Sequence, residues 1–282
     1  MTKLRRRMEE ELRLRGYSPV TIKAYIGAVK NFALFHGRSP DQMGAEEVRA
    51  YLLHLVDEKR LAPPSINQAL AGIRFFYVNV LDRPCDVGHV VYQKRKKKLP
   101  VVLSEQEVIQ LLDAAADLSD RAILMTLYSG GLRLLELIHL QPSDIDSDAM
   151  RIRVREGKGG KDRYVILSAT LLEVLRQYFR KFRPERWLFY ADQPNRPIPP
   201  RRIQRMIQAT ALRAELTKRV TPHMLRHSYG THLLEHGTNL RYIQELMGHK
   251  SLKTTMLYTH VSQRALGKVV SPLDRLCVKA KS

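Results

Sequence analysis

The chain has 282 residues, enough for two modest domains, and its 48 Lys and Arg against 28 Asp and Glu give a formal charge of +20. Such a charge attracts polyanions, so nucleic acid is the first partner to expect, ahead of an anionic membrane or a surface that is merely solvated. Two distant cysteines, Cys85 and Cys277, argue against a disulfide framework or a zinc ribbon, and the lack of any long apolar stretch or signal core predicts a cytoplasmic protein.

The first ninety residues predict a compact bundle of four short helices. One is expected near Glu9–Arg15, and Ser18-Pro19 begins a second that Gly37 ends. The spacing of apolar residues predicts a third helix over Ala45–Lys59. A fourth follows Pro63-Pro64-Ser65.

Basic side chains accompany these helices. Four of them lie off the apolar stripe, where they can meet a DNA backbone or simply face solvent: Lys23, Lys30, Arg49 and Arg74. A further run of five repels itself into an extended form, which predicts a linker over residues 93–100 that helps the chain close around a duplex. A nuclear targeting signal is the alternative for this run, which comprises Lys94, Arg95, Lys96, Lys97 and Lys98.

A second pattern of helices and strands begins after residue 100. Ser104 and Glu107 have the spacing of a capping box at the start of a helix. A very apolar helix is predicted over Asp120–Tyr128. After a Gly-Gly break, Arg133 opens another helix over residues 134–140.

Two segments with alternating polarity predict a β-hairpin. They are Arg151–Arg155 and Arg163–Leu167, and the glycine-rich turn between them places Lys158 at the tip. The remainder of the chain is predicted to be mostly helical, so the fold class is mainly α with a small antiparallel β-sheet.

The last 150 residues of the chain also carry polar side chains that together suit one reaction. Arginines and a lysine can neutralise phosphate oxygens without a metal-binding carboxylate cluster, histidines can move protons, and a tyrosine hydroxyl can attack phosphorus. This set indicates an enzyme that cuts and rejoins DNA through a covalent phosphotyrosine: Arg133, Lys158, His223, Arg226, His249 and Tyr258.

The local sequence around three of these positions suggests how they could act. Arg133 opens a helix, where its side chain and the free backbone amides favour an anion, but an ion pair with Glu136 is the structural alternative. His223 and Arg226 lie three residues apart on one face of the helix that Thr221-Pro222 begins, so both can address the same phosphate.

His249 and Tyr258 are expected to converge. One helix ends at Gly248, and Ser251 caps the short helix that carries Tyr258, so only a turn and a few helical residues separate the two side chains. A rival motif precedes them, because His232-Leu-Leu-Glu-His236 matches the inverted zinc-protease pattern. A buried apolar helix accounts for that match equally well.

In order and spacing, five segments resemble the tyrosine recombinase family of phage and integron integrases and of the recombinases that resolve chromosome dimers. The resemblance covers the whole chain and is closest to integron and mobile-element integrases and Xer-type recombinases. It rests on Ser129–Leu137, Gly157–Gly159, His223–His227, Leu246–His249 and Tyr258–His260.

The resemblance implies a domain plan. A four-helix, SAM-like core-binding domain is expected over residues 1–92, a basic linker over 93–100, and an α+β catalytic domain with a C-terminal tail over 101–282. Two positions depart from the family: Leu135 stands where serine is common, and Gly230 where alanine is common. Neither is expected to touch a reacting group.

The resemblance also implies a mechanism for a site-specific DNA recombinase. Tyr258 attacks the scissile phosphate, which leaves a 3′-phosphotyrosine and a free 5′-hydroxyl. Arg133 and Arg226 hold the non-bridging oxygens. Lys158 protonates the departing 5′-oxygen, and His223 helps to accept the tyrosine proton.

In the same scheme His249 donates a hydrogen bond to the phosphate, and neither metal nor ATP nor another cofactor takes part. The partners are double-stranded recombination sites and three further copies of the chain, in a tetramer tied together by exchange of the C-terminal tail. The alternatives are a type IB topoisomerase-like enzyme, which relaxes DNA without pairing two sites, and a catalytically silent DNA-binding regulator.

Overall fold

The computed structural model describes residues 2–84, 88, 91–94, 100–155, 162–191, 193, 195–249 and 251–258. The chain divides into two compact units, residues 1–97 and 98–282. Several predictions fall outside the described residues and stay predictions: those for Cys85, Cys277, Lys158, the run from Arg95 to Lys98, and the tail beyond Tyr258.

In its described residues the first unit contains four helices, as the sequence predicts: α1 (Lys3–Leu14), α2 (Pro19–His36), α3 (Ala45–Asp57) and α4 (Pro63–Phe75). A 3₁₀ turn over Pro40–Gln42 and a π-helical turn over Phe76–Val80 accompany them. Ser18 caps α2 by accepting a hydrogen bond from the Thr21 amide, and Gly37 ends it in the left-handed conformation.

The bounds of two helices differ from the prediction. α1 begins at Lys3 rather than near Glu9, because Thr2 caps it and because Met8 and Leu12 are buried one turn apart on its inner face. α3 ends at Asp57, two residues before the predicted Lys59. The core of this unit contains Met8, Leu12, Phe32, Val48, Leu70, Ile73, Phe76 and Tyr77.

The basic side chains of this unit occupy different environments. Lys23, Lys30, Arg49 and Lys94 are exposed. Arg74 is half-buried, and its guanidinium lies 5.3 Å from the centroid of the Tyr92 ring. These positions are compatible with phosphate contacts, and their role in DNA binding stays a prediction.

The second unit is mainly helical. Its helices are α5 (Glu105–Asp113), α6 (Leu118–Ser129), α7 (Leu134–Ile138), α8 (Ala169–Phe182), α9 (Pro200–Arg213), α10 (Pro222–Glu235), α11 (Leu240–Met247) and α12 (Leu252–Thr255), with 3₁₀ turns over Pro142–Asp144 and Met256–Tyr258. The predicted capping box is confirmed, because the Ser104 amide donates to Glu107 at 2.7 Å and the Glu107 amide to Ser104 at 3.2 Å.

A three-stranded antiparallel sheet packs with these helices. The strands are β1 (Ile145–Asp146), β2 (Arg151–Val154) and β3 (Arg163–Ile166), in the order β1-β2-β3. The two predicted strands are confirmed, each one residue shorter than expected. The sequence did not predict β1, because two residues are too few to show an alternating pattern.

Helix α6 lies at the centre of this unit. Six consecutive residues from Ala122 to Leu127 are buried, so the helix is covered on all sides, mainly by α8 and α10. Gly130 caps the C-terminus of this helix, and Arg133 follows three residues later. No helix among the described residues is long and apolar enough to cross a membrane.

Candidate active site

Arg133 is held by the carboxylate of Glu136. As the N-cap residue of α7, it donates its amide to Glu136 Oε2 at 2.8 Å and its Nη1 to Glu136 Oε1 at 2.7 Å. Its Nη2 donates to the Gly248 carbonyl at 3.1 Å. The expectation of a free backbone amide at Arg133 is therefore wrong, because Glu136 reaches back to it in the manner of a capping box. The guanidinium of Arg133, rather than its backbone amide, is therefore the group that can bind an anion.

Arg226 is buried in α10 and grips two backbone carbonyls. Its Nη1 and Nη2 donate to the carbonyl oxygens of Gly131 and Met247, and Nη1 lies 3.9 Å from Glu136 Oε2. Burial and the charge of Arg133 lower the pKa of Arg226 to about 10, so the group stays cationic at neutral pH. The fork joins the turn before Arg133 to the end of α11.

His249 follows the left-handed turn at Gly248 that ends α11. Its Nδ1 lies 3.0 Å from Thr255 Oγ1, and its carbonyl accepts from Gln244 at 3.1 Å. Burial, assisted by the charges of Arg226 and Arg133, lowers the pKa of His249 to about 4. A neutral imidazole therefore faces this group of arginines near pH 7.

Tyr258 is buried at the end of the described chain, in the 3₁₀ turn after α12. Its ring stacks on His249 at a centroid distance of 6.2 Å and meets the edge of His227 at 5.8 Å. Burial raises the pKa of Tyr258 to about 12, although the charges of Arg226 and Arg133 oppose the shift. The hydroxyl makes no hydrogen bond to any described residue.

Gly230 of α10 lies directly beneath the Tyr258 ring. A Cβ at this position would come within 2.7 Å of the ring atoms Cε2 and Cζ. The expectation that Gly230 touches no reacting group is therefore wrong: the missing side chain is what admits the ring to its buried site. Leu135, the other departure from the family pattern, is exposed.

The structure thus brings together Arg133, Arg226, His249 and Tyr258 from four separate segments. His223 is not part of this buried group. It lies in the first turn of α10 with an exposed side chain, three residues from the buried Arg226. Lys158 lies outside the described residues.

The histidines of the zinc-like motif have other partners. His232 Nδ1 lies 2.8 Å from the Tyr128 hydroxyl, and His236 Nε2 lies 3.1 Å from Glu105. Nowhere in the described part of the chain do three His, Cys, Asp or Glu side chains group in a way that fits a metal ion. These residues do not fit a zinc centre.

Comparison with known proteins decides the family. The model of the phage integrase family matches residues 101–264, and that of the N-terminal SAM-like domain of phage integrases matches residues 4–86. A protein of Sinorhizobium fredii named as an integrase/recombinase, y4qK, is 43% identical over 98% of this chain and 90% of its own length. The chain belongs to the phage integrase family of tyrosine recombinases.

Two further comparisons agree with this tyrosine recombinase assignment. The recombinase XerD of Staphylococcus aureus is 34% identical over 93% of this chain and 96% of its own. A lambda integrase tetramer bound to a Holliday junction matches the fold with a TM-score of 0.73, at 19% identity over 90% of this chain and 76% of that chain. Tyrosine recombinases cut and rejoin DNA strands, so the protein is an enzyme of site-specific recombination.

Two residues of the recombinase site were not among those predicted from the sequence. Glu136 appeared only as a structural partner of Arg133, yet it also binds Arg163 and lies near Arg226. Although burial opposes ionisation, hydrogen bonds and charge from Arg163 and Arg133 lower the pKa of Glu136 to about 2. The alternation of β3 could have indicated that Arg163 faces inward, because it lies on the same face of the strand as the buried Val165.

The pKa of His249 predicts a pH-dependent stability. An unfolded histidine takes up a proton below about pH 6.5, whereas folded His249 stays neutral until about pH 4, so the unfolded chain binds more protons between these values. The free energy of unfolding should therefore fall as the pH drops from 6.5 to 4, with at most about 3 kcal/mol from this group. His249→Gln should flatten this slope in urea titrations at several pH values. Parallel slopes in the two proteins would contradict the pKa assigned to His249.

Proposed function

We propose that Tyr258 is the nucleophile of this recombinase and that Arg133, Arg226 and His249 bind the scissile phosphate. The observation that carries the proposal is the convergence of two arginines and a neutral histidine on one tyrosine ring. The guanidinium groups supply the positive charge that stabilises a pentacovalent phosphorus, in a site where most water is excluded. Tyr258 then forms a bond to phosphorus, and the 5′-oxygen of the next nucleotide leaves.

Proton transfer accompanies both bond changes. With a pKa of about 12, Tyr258 is protonated at neutral pH and needs a base when it attacks. We assign His223 as the group that helps to accept this proton, and Lys158 as the donor to the departing 5′-oxygen. His249 contributes a hydrogen bond to a non-bridging oxygen. Because one phosphodiester is exchanged for another, rejoining needs no external energy.

Covalent capture of DNA tests this proposal. The full-length protein is incubated with a library of random duplexes, denatured in detergent, and the DNA that stays attached is sequenced. The expected result is a shared sequence motif and, after proteolysis, a nucleotide on the peptide that contains Tyr258. Attachment to another residue, or no attachment at all, would overturn the assignment of the nucleophile.

Plasmids that carry the captured sequence also distinguish a recombinase from a type IB topoisomerase-like enzyme. A recombinase exchanges strands between two plasmids that each carry the site, whereas a type IB topoisomerase-like enzyme relaxes a supercoiled plasmid and joins no two molecules. The family assignment and the intact group of polar residues favour recombination. Strand exchange between differently marked plasmids, followed by sequencing of the junctions, decides between them.

Cleavage should not require a metal ion. In this proposal Arg133, Arg226 and Lys158 meet the charge on the phosphate, so adduct formation should proceed at an unchanged rate in excess EDTA. A two-metal nuclease or a zinc enzyme would lose activity under the same conditions. A rate that EDTA lowers and added divalent ions restore would contradict this account.

We further propose that the active form is a homotetramer on two DNA sites, with each C-terminal tail docked on a neighbouring subunit. Lambda integrase has been crystallised as a tetramer on a Holliday junction, and it shares this fold. Truncation after Val261 should leave binding to a single site largely intact and abolish recombination between two sites. Full recombination by the truncated protein would exclude tail exchange.

The two units have separate tasks in this proposal. Residues 1–92 bind the duplex through Lys23, Lys30 and Arg74, the basic linker over 93–100 follows the backbone, and residues 101–282 carry the chemistry. Such phosphate contacts predict a DNA affinity that falls steeply as the salt concentration rises. We place the activity in the cytoplasm of a prokaryotic cell, where a mobile element or chromosome supplies the sites.

A further inference from the structure

Arg163 occupies an inward-facing position that a strand usually gives to an apolar residue. It begins β3, in which Arg163 and Val165 face inward while Tyr164 and Ile166 are exposed. Only 11% of its side chain is accessible to solvent. A charge in such a place is costly unless it is paired, so its partners explain why it is there.

The guanidinium of Arg163 joins three segments of the chain. Its Nη1 and Nη2 donate in parallel to the two oxygens of Glu136, at 2.8 and 2.7 Å, and its Nε donates to the Leu246 carbonyl at 2.9 Å. Glu136 holds Arg133, and Leu246 lies three residues before His249. One side chain therefore ties β3 to both segments that present groups to the phosphate.

The turn before His249 is shaped around this arginine. Gly248 has φ +58°, and a Cβ there would lie 3.0 Å from Arg163 Cδ and 3.1 Å from Nε. The arginine stem thus packs against the glycine backbone itself. The carbonyl of Gly248 also accepts a hydrogen bond from Arg133. A displacement of Arg163 would therefore disturb a turn that Arg133 uses as well.

The charges around Glu136 give this contact a second consequence. Three guanidinium groups surround one carboxylate: Arg133 at 2.7 Å, Arg163 at 2.7 Å and Arg226 at 3.9 Å. Arg163 engages both carboxylate oxygens in the bidentate geometry that an arginine forms best. Without Arg163, the carboxylate of Glu136 would attract Arg133 and Arg226 more strongly. The positive electrostatic potential at the proposed phosphate site would then be lower.

We propose that Arg163 is a positioning residue of the recombination reaction. It binds Glu136 and Leu246 so that Arg133, Arg226 and His249 are aligned and charged for the scissile phosphate, without contacting that phosphate itself. This inference rests on the proposed roles of Arg133, Arg226, His249 and Tyr258.

Arg163→Gln and Arg163→Lys test the proposal in the full-length protein. Single-turnover formation of the covalent adduct is measured on captured site DNA at saturating protein, together with the DNA dissociation constant and the thermal midpoint. Arg163→Gln should cleave about 10- to 100-fold more slowly, the range seen when a supporting residue that orients a reacting group is removed. Arg163→Lys should stay slow, because lysine keeps the charge but loses the fork.

Arg151→Gln is the matched control. Arg151 lies on the outward face of the same sheet, where it pairs with Asp146 at 3.0 Å, so this change removes the same charge and also one ion pair. The control should cleave at the wild-type rate. DNA affinity should fall no further in Arg163→Gln than in Arg151→Gln.

A double-mutant cycle with Glu136→Gln identifies the route of the effect. If Arg163 acts through Glu136, the double variant is no slower than the slower single variant, whereas independent roles multiply the two losses. A wild-type rate in Arg163→Gln, full activity in Arg163→Lys, or a rate loss that only follows weaker DNA binding would each overturn the proposal, whereas multiplied losses would assign the effect to the contact with Leu246. Failure of the wild-type protein to form an adduct at Tyr258 would instead refute the proposed function.

Discussion

Tyr258→Phe should abolish the covalent adduct and leave DNA binding unchanged. The substitution removes only the hydroxyl oxygen of the proposed nucleophile, so the rate of adduct formation should fall by at least about 10⁴-fold, as when other enzymes lose their nucleophile. The phenylalanine ring keeps the contacts with His227, His249 and the backbone of Gly230. Denaturing gels of protein mixed with labelled site DNA measure the adduct.

The same variant should be more stable than the wild type. The Tyr258 hydroxyl is buried and donates to no described group, so its removal relieves a desolvation cost of about 1–3 kcal/mol. Each kcal/mol raises the midpoint of thermal unfolding by about 2–4 °C in a unit of this size. An adduct in Tyr258→Phe would refute the nucleophile, and a lower midpoint would contradict the buried, unpaired hydroxyl.

Arg226→Lys should lower the cleavage rate by about 10²- to 10³-fold although the charge is kept. The guanidinium holds the carbonyl oxygens of Gly131 and Met247 at the same time, and a single ammonium group cannot reproduce this fork. At least one buried carbonyl is left unpaired, and the charge is shifted relative to Tyr258. Single-turnover adduct formation at saturating protein measures the loss.

Arg176→Lys is a suitable control for that variant. Arg176 is exposed on α8, so the same exchange there should leave cleavage and stability unchanged. Wild-type cleavage by Arg226→Lys would show that charge alone suffices at this position. That result would exclude the hydrogen bonds of Arg226 to the two carbonyls as the basis of its role in cleavage.

Local signals in the sequence predicted most of the secondary structure, because the groups that begin and end these helices are close in the chain. Ser18 and Ser104 cap helices within their own first turns, and the alternation of β2 and β3 is visible in a few residues. The order of the motifs named four polar residues that converge, but also His223, which lies outside that group, and Lys158, which lies outside the described residues. Their sequence spacing also indicated the turn between His249 and Tyr258.

Contacts between distant segments were beyond such signals. The bond from Arg163 to Leu246 and the ring of Tyr258 on Gly230 depend on how β3, α10 and α11 pack, which no local pattern specifies. The hydrogen bond from the Arg133 amide to Glu136 could have been predicted, because the two residues have the spacing of a capping box. The sequence offers both an anion site and an ion pair with Glu136 at that helix start, and the structure shows the ion pair.

With Tyr258 as the proposed nucleophile, the burial of its ring separates DNA binding from DNA cleavage. With a formal charge of +20, the protein is drawn to any stretch of chromosome that it meets by diffusion. A random duplex that docks on this surface meets cations, while the hydroxyl of Tyr258, the nucleophile proposed above, is enclosed above Gly230. We therefore expect that a strand break requires a movement of Tyr258 that brings its hydroxyl to the phosphate, and that binding to random DNA alone leaves the strand intact.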